Sequence, residues 1–188
     1  MNKDIYVVTH PREWETQPDP SLTAEGEETA GKAAAAKLLP RQPAQVICGT
    51  GRRYFQTAKI FGLTPTHFSP LCGVPDASVY VPGSSKIVRF ADGDTRCRID
   101  QWLIPNTRPF LNTLEHNTVL IAGRTFMLGL GFRGAHRGMI FKIVFETDEV
   151  SKISDIDDFV ELFPNNREKE FKESKRREAS RLTETATA

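Results

Sequence analysis

Ile5-Tyr6-Val7-Val8-Thr9-His10-Pro11-Arg12 is a short apolar run that ends at a histidine and then at a proline. Four apolar residues in a row, rich in β-branched side chains, predict a buried strand of an α/β protein. Proline has no N–H to donate and restricts the residue before it, so the strand stops there. His10 therefore stands at the carboxyl end of a predicted central strand. In open α/β sheets that edge is where ligands bind. A histidine so placed can act as nucleophile, general base or metal ligand. The plainer alternative is a histidine that only ties down a loop.

Working outward, a polar loop follows from Arg12 to Ser21. A helix is predicted from Leu22-Thr23, with Thr23 as N-cap and Glu25, Glu27 and Glu28 near the positive end of its dipole. The alanine-rich run from Ala30 to Leu39 continues it until Pro40. Gly26 weakens this helix unless something packs closely against it. Gln45 to Cys48 predicts a second strand, followed by Gly49-Thr50-Gly51 and a helix from Arg52 to Phe61 that ends at Gly62. Two arginines, Arg52 and Arg53, open that helix. They make chemical sense if an anion is held at its N-terminus. Solvated surface arginines are the commoner outcome for such a pair.

From Thr64 to about Asn106 five prolines interrupt every pattern, and only Ser85–Phe90 and Cys97–Leu103 look regular. This stretch reads as an excursion over one sheet edge. Its acids, Asp76, Asp92, Asp94 and Asp100, read mainly as turn residues. A helix over Arg108–Leu114, a strand over Thr118–Ala122, a packed helix over Thr125–Leu130 and a strand over Met139–Glu146 come next. Ser154–Phe163 reads as a short helix. The sequence Gly129-Leu130-Gly131-Phe132-Arg133-Gly134 matches GxGxxG literally, but it follows a helix rather than opening one, so it is read as a helix-terminating loop. Strands alternating with helices predict a three-layer α/β/α fold with a largely parallel central sheet. The expected organisation is one domain over residues 1–164 and a charged tail over 165–188, partly helical or disordered. Lys175-Arg176-Arg177 in that tail is a candidate contact for an acidic protein partner, although a solvated face is the commoner role of such a cluster.

Composition narrows the function classes. The 188 residues carry a formal net charge of +1 with 26% charged and 39% hydrophobic residues. That suffices for a core and gives no electrostatic case for nucleic acid or a membrane surface. No apolar run reaches the length of a membrane span, and Met1-Asn2-Lys3-Asp4 runs straight into the first strand rather than a signal peptide. Cys48, Cys72 and Cys97 form no CxxC pair and have no neighbouring histidine at zinc spacing. Reduced thiols in a cytoplasmic protein are the expectation.

Three predicted strands each end in a group that can bind or attack an anion: His10, the Arg52/Arg53 pair and Arg124. One histidine ringed by arginines suits phosphate. The guanidinium groups neutralise the equatorial oxygens and the imidazole attacks phosphorus in line.

These residues resemble the histidine phosphatase superfamily, which includes phosphoglycerate mutases and small phosphohistidine phosphatases. The likeness covers roughly residues 4 to 63 and 117 to 146. The family's Arg-His-Gly motif lies over Thr9-His10-Pro11. Its Leu-Thr-x-x-Gly-x-x-Gln-Ala helix start lies over Leu22 to Ala30, with only the glutamine changed. Its Ser-Ser-Pro-Leu-x-Arg-Ala-x-Gln-Thr-Ala segment lies over Cys48 to Ala58. The resemblance implies a phosphoglycerate mutase-like fold, His10 as the phosphorylated nucleophile and Arg53 as a phosphate-binding arginine. Several positions depart from it. The first arginine is Thr9 and the glycine is Pro11. The second catalytic histidine falls on Arg124, and the usual glutamate falls near Leu71-Cys72-Gly73, leaving Asp76 as the nearest candidate acid. Arg12 and Arg124 are candidates to restore the lost positive charge. Two functions are therefore open: hydrolysis of a small phosphorylated substrate through a phosphohistidine, or a fold that has lost catalysis and binds a phosphorylated ligand, phosphate or a protein partner. Mutase chemistry fits less well, since a mutase must hold its substrate in two orientations in a well-equipped pocket.

Overall fold

The computed structural model of the chain describes residues 2–13, 19–73, 78–80, 87–89, 104–147 and 153–165. In chain order the elements are β1 (Asn2–Thr9), α1 (Ala24–Ala35), β2 (Val46–Cys48), α2 (Arg52–Ile60), β3 (His67–Phe68), β4 (Ser78–Tyr80), β5 (Ile87–Arg89), α3 (Ile104–Asn112), β6 (Thr118–Ala122), α4 (Arg124–Gly129), β7 (Ile140–Thr147) and β8 (Ile153–Phe163). A six-stranded sheet has the order β3-β2-β6-β1-β7-β8, and β4 with β5 forms a separate ribbon. The first four strands of that order pair in parallel, while β7 and β8 join antiparallel. The largely parallel sheet expected from the sequence is thus present, with an antiparallel edge.

Both faces of the sheet are covered, as a parallel core requires. Successive residues of a strand point to opposite faces. Ile5 and Val7 of β1 and Leu120 and Ala122 of β6 join one cluster with Leu111, Phe126 and Met127 of α3 and α4. Val8, Val119 and Ile121 join the other with Ala33, Tyr54 and Ala58 of α1 and α2. The sheet lies between two helical layers, and all five residues of β6 are buried.

Thr23 caps α1 as expected, its hydroxyl accepting from the Gly26 N–H at 3.1 Å. The helix ends at Ala35, before the predicted limit, because Lys37 turns the backbone over with φ of 53°. Leu38 and Leu39 then fold back onto the second cluster. Gly26 is explained by close approach. A Cβ there would lie 2.2 Å from the Arg12 carbonyl oxygen. Alanine normally favours a helix by about 1 kcal/mol over glycine. Here Gly26→Ala is expected to destabilise the protein by about 1–3 kcal/mol, as overpacking does. Chemical denaturation checks the sign.

Two expectations are corrected. Ser154–Phe163 is not a helix but most of strand β8, paired with β7. The irregular stretch from Thr64 also begins too early, because His67–Phe68 completes the parallel edge of the central sheet as β3. Within the rest of it, β5 falls inside the expected Ser85–Phe90 segment, while Cys97–Leu103, Asp92, Asp94 and Asp100 lie outside the described residues. So does the tail beyond Asn165. The GxGxxG match ends α4, with Gly131 at φ of 87°, a helix-terminating turn as read from the sequence. Among the described residues no helix is long and apolar enough to cross a membrane.

Candidate active site

The parallel order β2-β6-β1 puts the carboxyl ends of three strands side by side. Thr9 is in register with Ala122, and Cys48 with Ile121. The next backbone amides continue the ladder: His10 N–H donates to Ala122 O at 3.0 Å and Gly49 N–H to Ile121 O at 3.0 Å. His10, Gly49 and Gly123 are therefore neighbours at one sheet edge. The loop through Cys72-Gly73 laps under the same edge, since Gly123 N–H donates to Cys72 O at 2.7 Å and Thr50 N–H to Gly73 O at 2.8 Å.

His10 is buried, and its Nδ1 lies 2.8 Å from the Pro11 carbonyl. A carbonyl only accepts, so Nδ1 carries the hydrogen and Nε2 keeps its lone pair. Burial lowers the pKa of His10 below its ordinary 6.5, and the Arg53 charge lowers it further, against the opposing pull of Glu13. The ring is a neutral imidazole at pH 7, the form that can attack phosphorus.

Glu13 was not singled out by the sequence, yet it shapes the site. Its Oε2 lies 3.3 Å from His10 Nδ1 and its Oε1 3.1 Å from Arg137. Burial alone would raise its pKa, but the His10 N–H and the charge on Arg137 outweigh that and hold it at about 2, down from 4.5. Glu13 is thus a carboxylate at neutral pH and no proton donor. A depressed carboxyl stabilises the fold above pH 4.5, and that stability is lost as pH falls towards 2. Glu13→Gln is expected to flatten the dependence of stability on pH across this window, read by denaturation at stepped pH.

Arg53 is buried at the first turn of α2. Its Nη2 donates to the Tyr54 hydroxyl at 2.9 Å, and its guanidinium carbon stands 4.6 Å from the Tyr54 ring centroid. The Tyr54 ring meets the His10 ring edge-on, with centroids 5.1 Å apart. Nucleophile candidate, arginine and phenol are therefore one cluster. Arg52, next to it, is exposed, and its backbone N–H donates to Asp19 Oδ1 at 2.8 Å. An anion does meet the N-terminus of α2, and it is a side chain of the same protein.

The remaining candidates divide. Arg124 opens α4 at the end of β6, on the expected edge, and is exposed. Arg12 pairs with Glu25 at 3.1 Å beside the start of α1. Asp76 lies outside the described residues. Thr9 is fully buried, and its hydroxyl donates to His136 O at 2.6 Å and accepts from the Met139 N–H at 2.9 Å. It ties β1 to the loop before β7 instead of bearing charge toward the site. Cys48 and Cys72 are buried free thiols. Burial pushes Cys48 up to about 12 and Cys72 higher still, so neither is a thiolate nucleophile at neutral pH. Among the described residues no three His, Cys, Asp or Glu side chains are grouped to hold a metal ion.

No protein-family model matches the sequence, and no curated protein matches it. Solved structures do. A mycobacterial glucosyl-3-phosphoglycerate phosphatase superposes with a TM-score of 0.57 at 14% identity, over 88% of this chain and 99% of the other. The Thermus thermophilus protein TTHB049 gives a TM-score of 0.55 at 17% identity, over 86% of this chain and 99% of the other. A candidate phosphohistidine phosphatase, SixA, from Nakamurella multipartitia gives 0.51 at 14% identity, over 85% and 96%.

The chain has the histidine phosphatase fold.

On that fold the departures seen in the sequence acquire places. By the resemblance, the motif's alanine after its arginine falls on Tyr54, and its glutamate falls near Leu71-Cys72-Gly73. Those two positions touch. A Cβ on Gly73 would lie 2.0 Å from the Tyr54 hydroxyl oxygen, one on Gly49 2.7 Å from the ring, and one on Gly123 3.1 Å from the oxygen. The phenol of this histidine phosphatase fold sits in a cradle of three glycines, one at each of three chain segments around the site.

Proposed function

We propose that the protein is a phosphomonoester hydrolase that acts on a small phosphorylated substrate through a phosphohistidine at His10. The observation that carries this reading is the engaged Nδ1 of a buried His10. With Pro11 O at 2.8 Å fixing that tautomer, Nε2 is the free nucleophilic nitrogen at the shared sheet edge, beside buried Arg53. In the first step Nε2 attacks phosphorus and the ester P–O bond breaks. In the second, water attacks phosphorus, the P–N bond breaks, and phosphate leaves. Arg53 supplies fixed positive charge to the transferred group, and Arg124 adds charge from the end of β6. Arg12 is the weaker candidate, since Glu25 already neutralises it. The mechanism calls for no metal or organic cofactor.

The direct test is a phosphoryl trap. Incubation with a labelled phosphomonoester, quenched in alkali, is expected to leave an acid-labile phosphoryl group on His10, located by mass spectrometry. Because burial lowers the His10 pKa, kcat/KM is expected to hold below pH 6.5 before it falls, since the neutral ring persists there. A limb centred at or above 6.5 contradicts the neutral-nucleophile assignment.

A second reading is that the site binds a phosphorylated ligand without turning it over. The neutral Thr9 where the family motif has arginine, and the pairing of Arg12 with Glu25, favour it, because both reduce the charge available to a transition state. It predicts saturable phosphate-ester binding with no label on His10.

A further inference from the structure

We infer that the Tyr54 hydroxyl is the proton donor to the leaving oxygen and, after the first step, the base that receives a proton from water. The inference rests on the phosphohistidine reading and adds an acid other than Asp76, since the stretch Leu71-Cys72-Gly73, near which the family's glutamate falls, carries none.

Four observations carry it. Tyr54 is 2% exposed, so its hydroxyl is removed from bulk water. That oxygen accepts from Arg53 Nη2 at 2.9 Å, which occupies a lone pair and leaves the phenolic hydrogen to be donated. Among the described residues no acceptor takes that hydrogen, and a buried donor left unused costs free energy comparable to a lost hydrogen bond. Finally, the oxygen stands beside Gly123, at the end of β6, the strand paired with the one that leads to His10. A side chain on Gly73 or Gly123 would meet it, and the ring lies edge-on to His10. A structural tyrosine in a glycine cradle would be satisfied by its ring contacts alone. Here the polar end is placed in the cluster and half-paired.

The chemistry balances. As Nε2 bonds to phosphorus, the P–O ester bond breaks and the leaving oxygen takes the phenolic proton, giving an alcohol and a phenolate beside the Arg53 guanidinium. In the second half the phenolate takes a proton from the attacking water, the P–N bond breaks, and phosphate, neutral His10 and the phenol are restored. Burial raises the phenol to about 12 against the lowering influence of Arg53, so it is protonated at pH 7 and able to donate to an alkoxide.

The test is Tyr54→Phe with two leaving groups. An alkyl phosphate needs its leaving oxygen protonated, whereas p-nitrophenyl phosphate leaves as a stable anion. General acid catalysis contributes about 10²–10⁴-fold, so turnover of the alkyl ester is expected to fall by about 10²-fold or more while p-nitrophenyl phosphate falls by only a few-fold. Loss of the Arg53 anchor or damage to packing would lower both equally, and that result overturns the inference. So does an unchanged or increased rate with the alkyl ester, which makes Tyr54 a space-filling plug. If the wild type forms no phosphohistidine with either ester, the hydrolase reading fails and the inference falls with it. Label on His10 with equal losses fails the inference alone.

Discussion

His10→Asn is expected to remove both the covalent label and phosphate release, lowering turnover by at least about 10³-fold, since deleting the nucleophile of a catalytic unit can cost about 10⁶-fold. Asparagine is chosen because its amide can still donate toward the Pro11 carbonyl, which His10 Nδ1 meets at 2.8 Å. It keeps a polar group in a buried position and cannot form a stable N–P bond. The fold should survive, because the strand that carries residue 10 is held by the β6 and β7 ladders on both sides. Phosphate-ester binding should persist, since Arg53 is anchored by Tyr54 and not by His10. The expected pattern is therefore loss of kcat with Kd changed little. A variant that still releases phosphate at the wild-type rate removes His10 from the reaction. A wild type that binds but never releases phosphate shifts the protein to the binding reading, and the same Asn variant would then show no change in any readout.

How much of this was legible in the sequence follows from what each residue's surroundings do to its signal. β1 and β6 were legible because strands buried on both faces are continuous apolar runs, and a proline or glycine closes each of them. Their parallel pairing brings His10 and Arg124 to one edge, and the pairing of β2 with β6 adds Arg53 at the start of α2. β8 was misread because its pairing with β7 contains three register shifts, between Ile140/Phe141, Val144/Phe145 and Phe145/Thr147. Each bulge offsets the alternation, so Ile153, Ile156 and Phe159 fall at helix-like spacing although they lie on a strand. β3 was missed because two residues with both side chains exposed carry no periodicity. Glu13 sits in a polar loop where an acid is ordinary. Its role appears only when Arg137, 124 positions later in the chain, is folded against it. Tyr54 was hidden in another way. A tyrosine on an amphipathic helix reads as core, and Gly49, Gly73 and Gly123 read as separate turns. Only the packing shows that the glycines answer one ring.

That shared ring makes Gly73→Ala the most damaging small substitution expected outside the nucleophile. Its Cβ would stand 2.0 Å from the Tyr54 oxygen, and the residue has φ of +143°, which side chains rarely adopt. Overpacking costs about 1–3 kcal/mol, and a strained backbone a further 1–3 kcal/mol. The combined loss is a large share of the stability of a single domain. The two causes separate in a double-mutant cycle. Tyr54→Ala removes the ring and with it the collision, so Gly73→Ala should be markedly less destabilising in that background, with a coupling of about 1–3 kcal/mol for residues in contact. Gly49→Ala is the companion case. Its Cβ would meet the ring at 2.7 Å and the Gly73 carbonyl oxygen at 3.0 Å, and its backbone is not in the positive-φ region, so most of its cost should vanish when the ring is removed, leaving only the carbonyl contact. Urea denaturation of the six chains gives every value. If Gly73→Ala costs the same with and without the Tyr54 ring, the strain is in the backbone and the cradle does not position the phenol. If both glycine substitutions couple to Tyr54, the volume at this edge is fixed jointly by the three strand ends and the ring. Displacing that ring must then also move the Arg53 guanidinium that hydrogen-bonds it. Activity lost in Gly49→Ala should consequently appear in KM as well as in kcat, because the arginine that holds the phosphoryl group moves with the phenol.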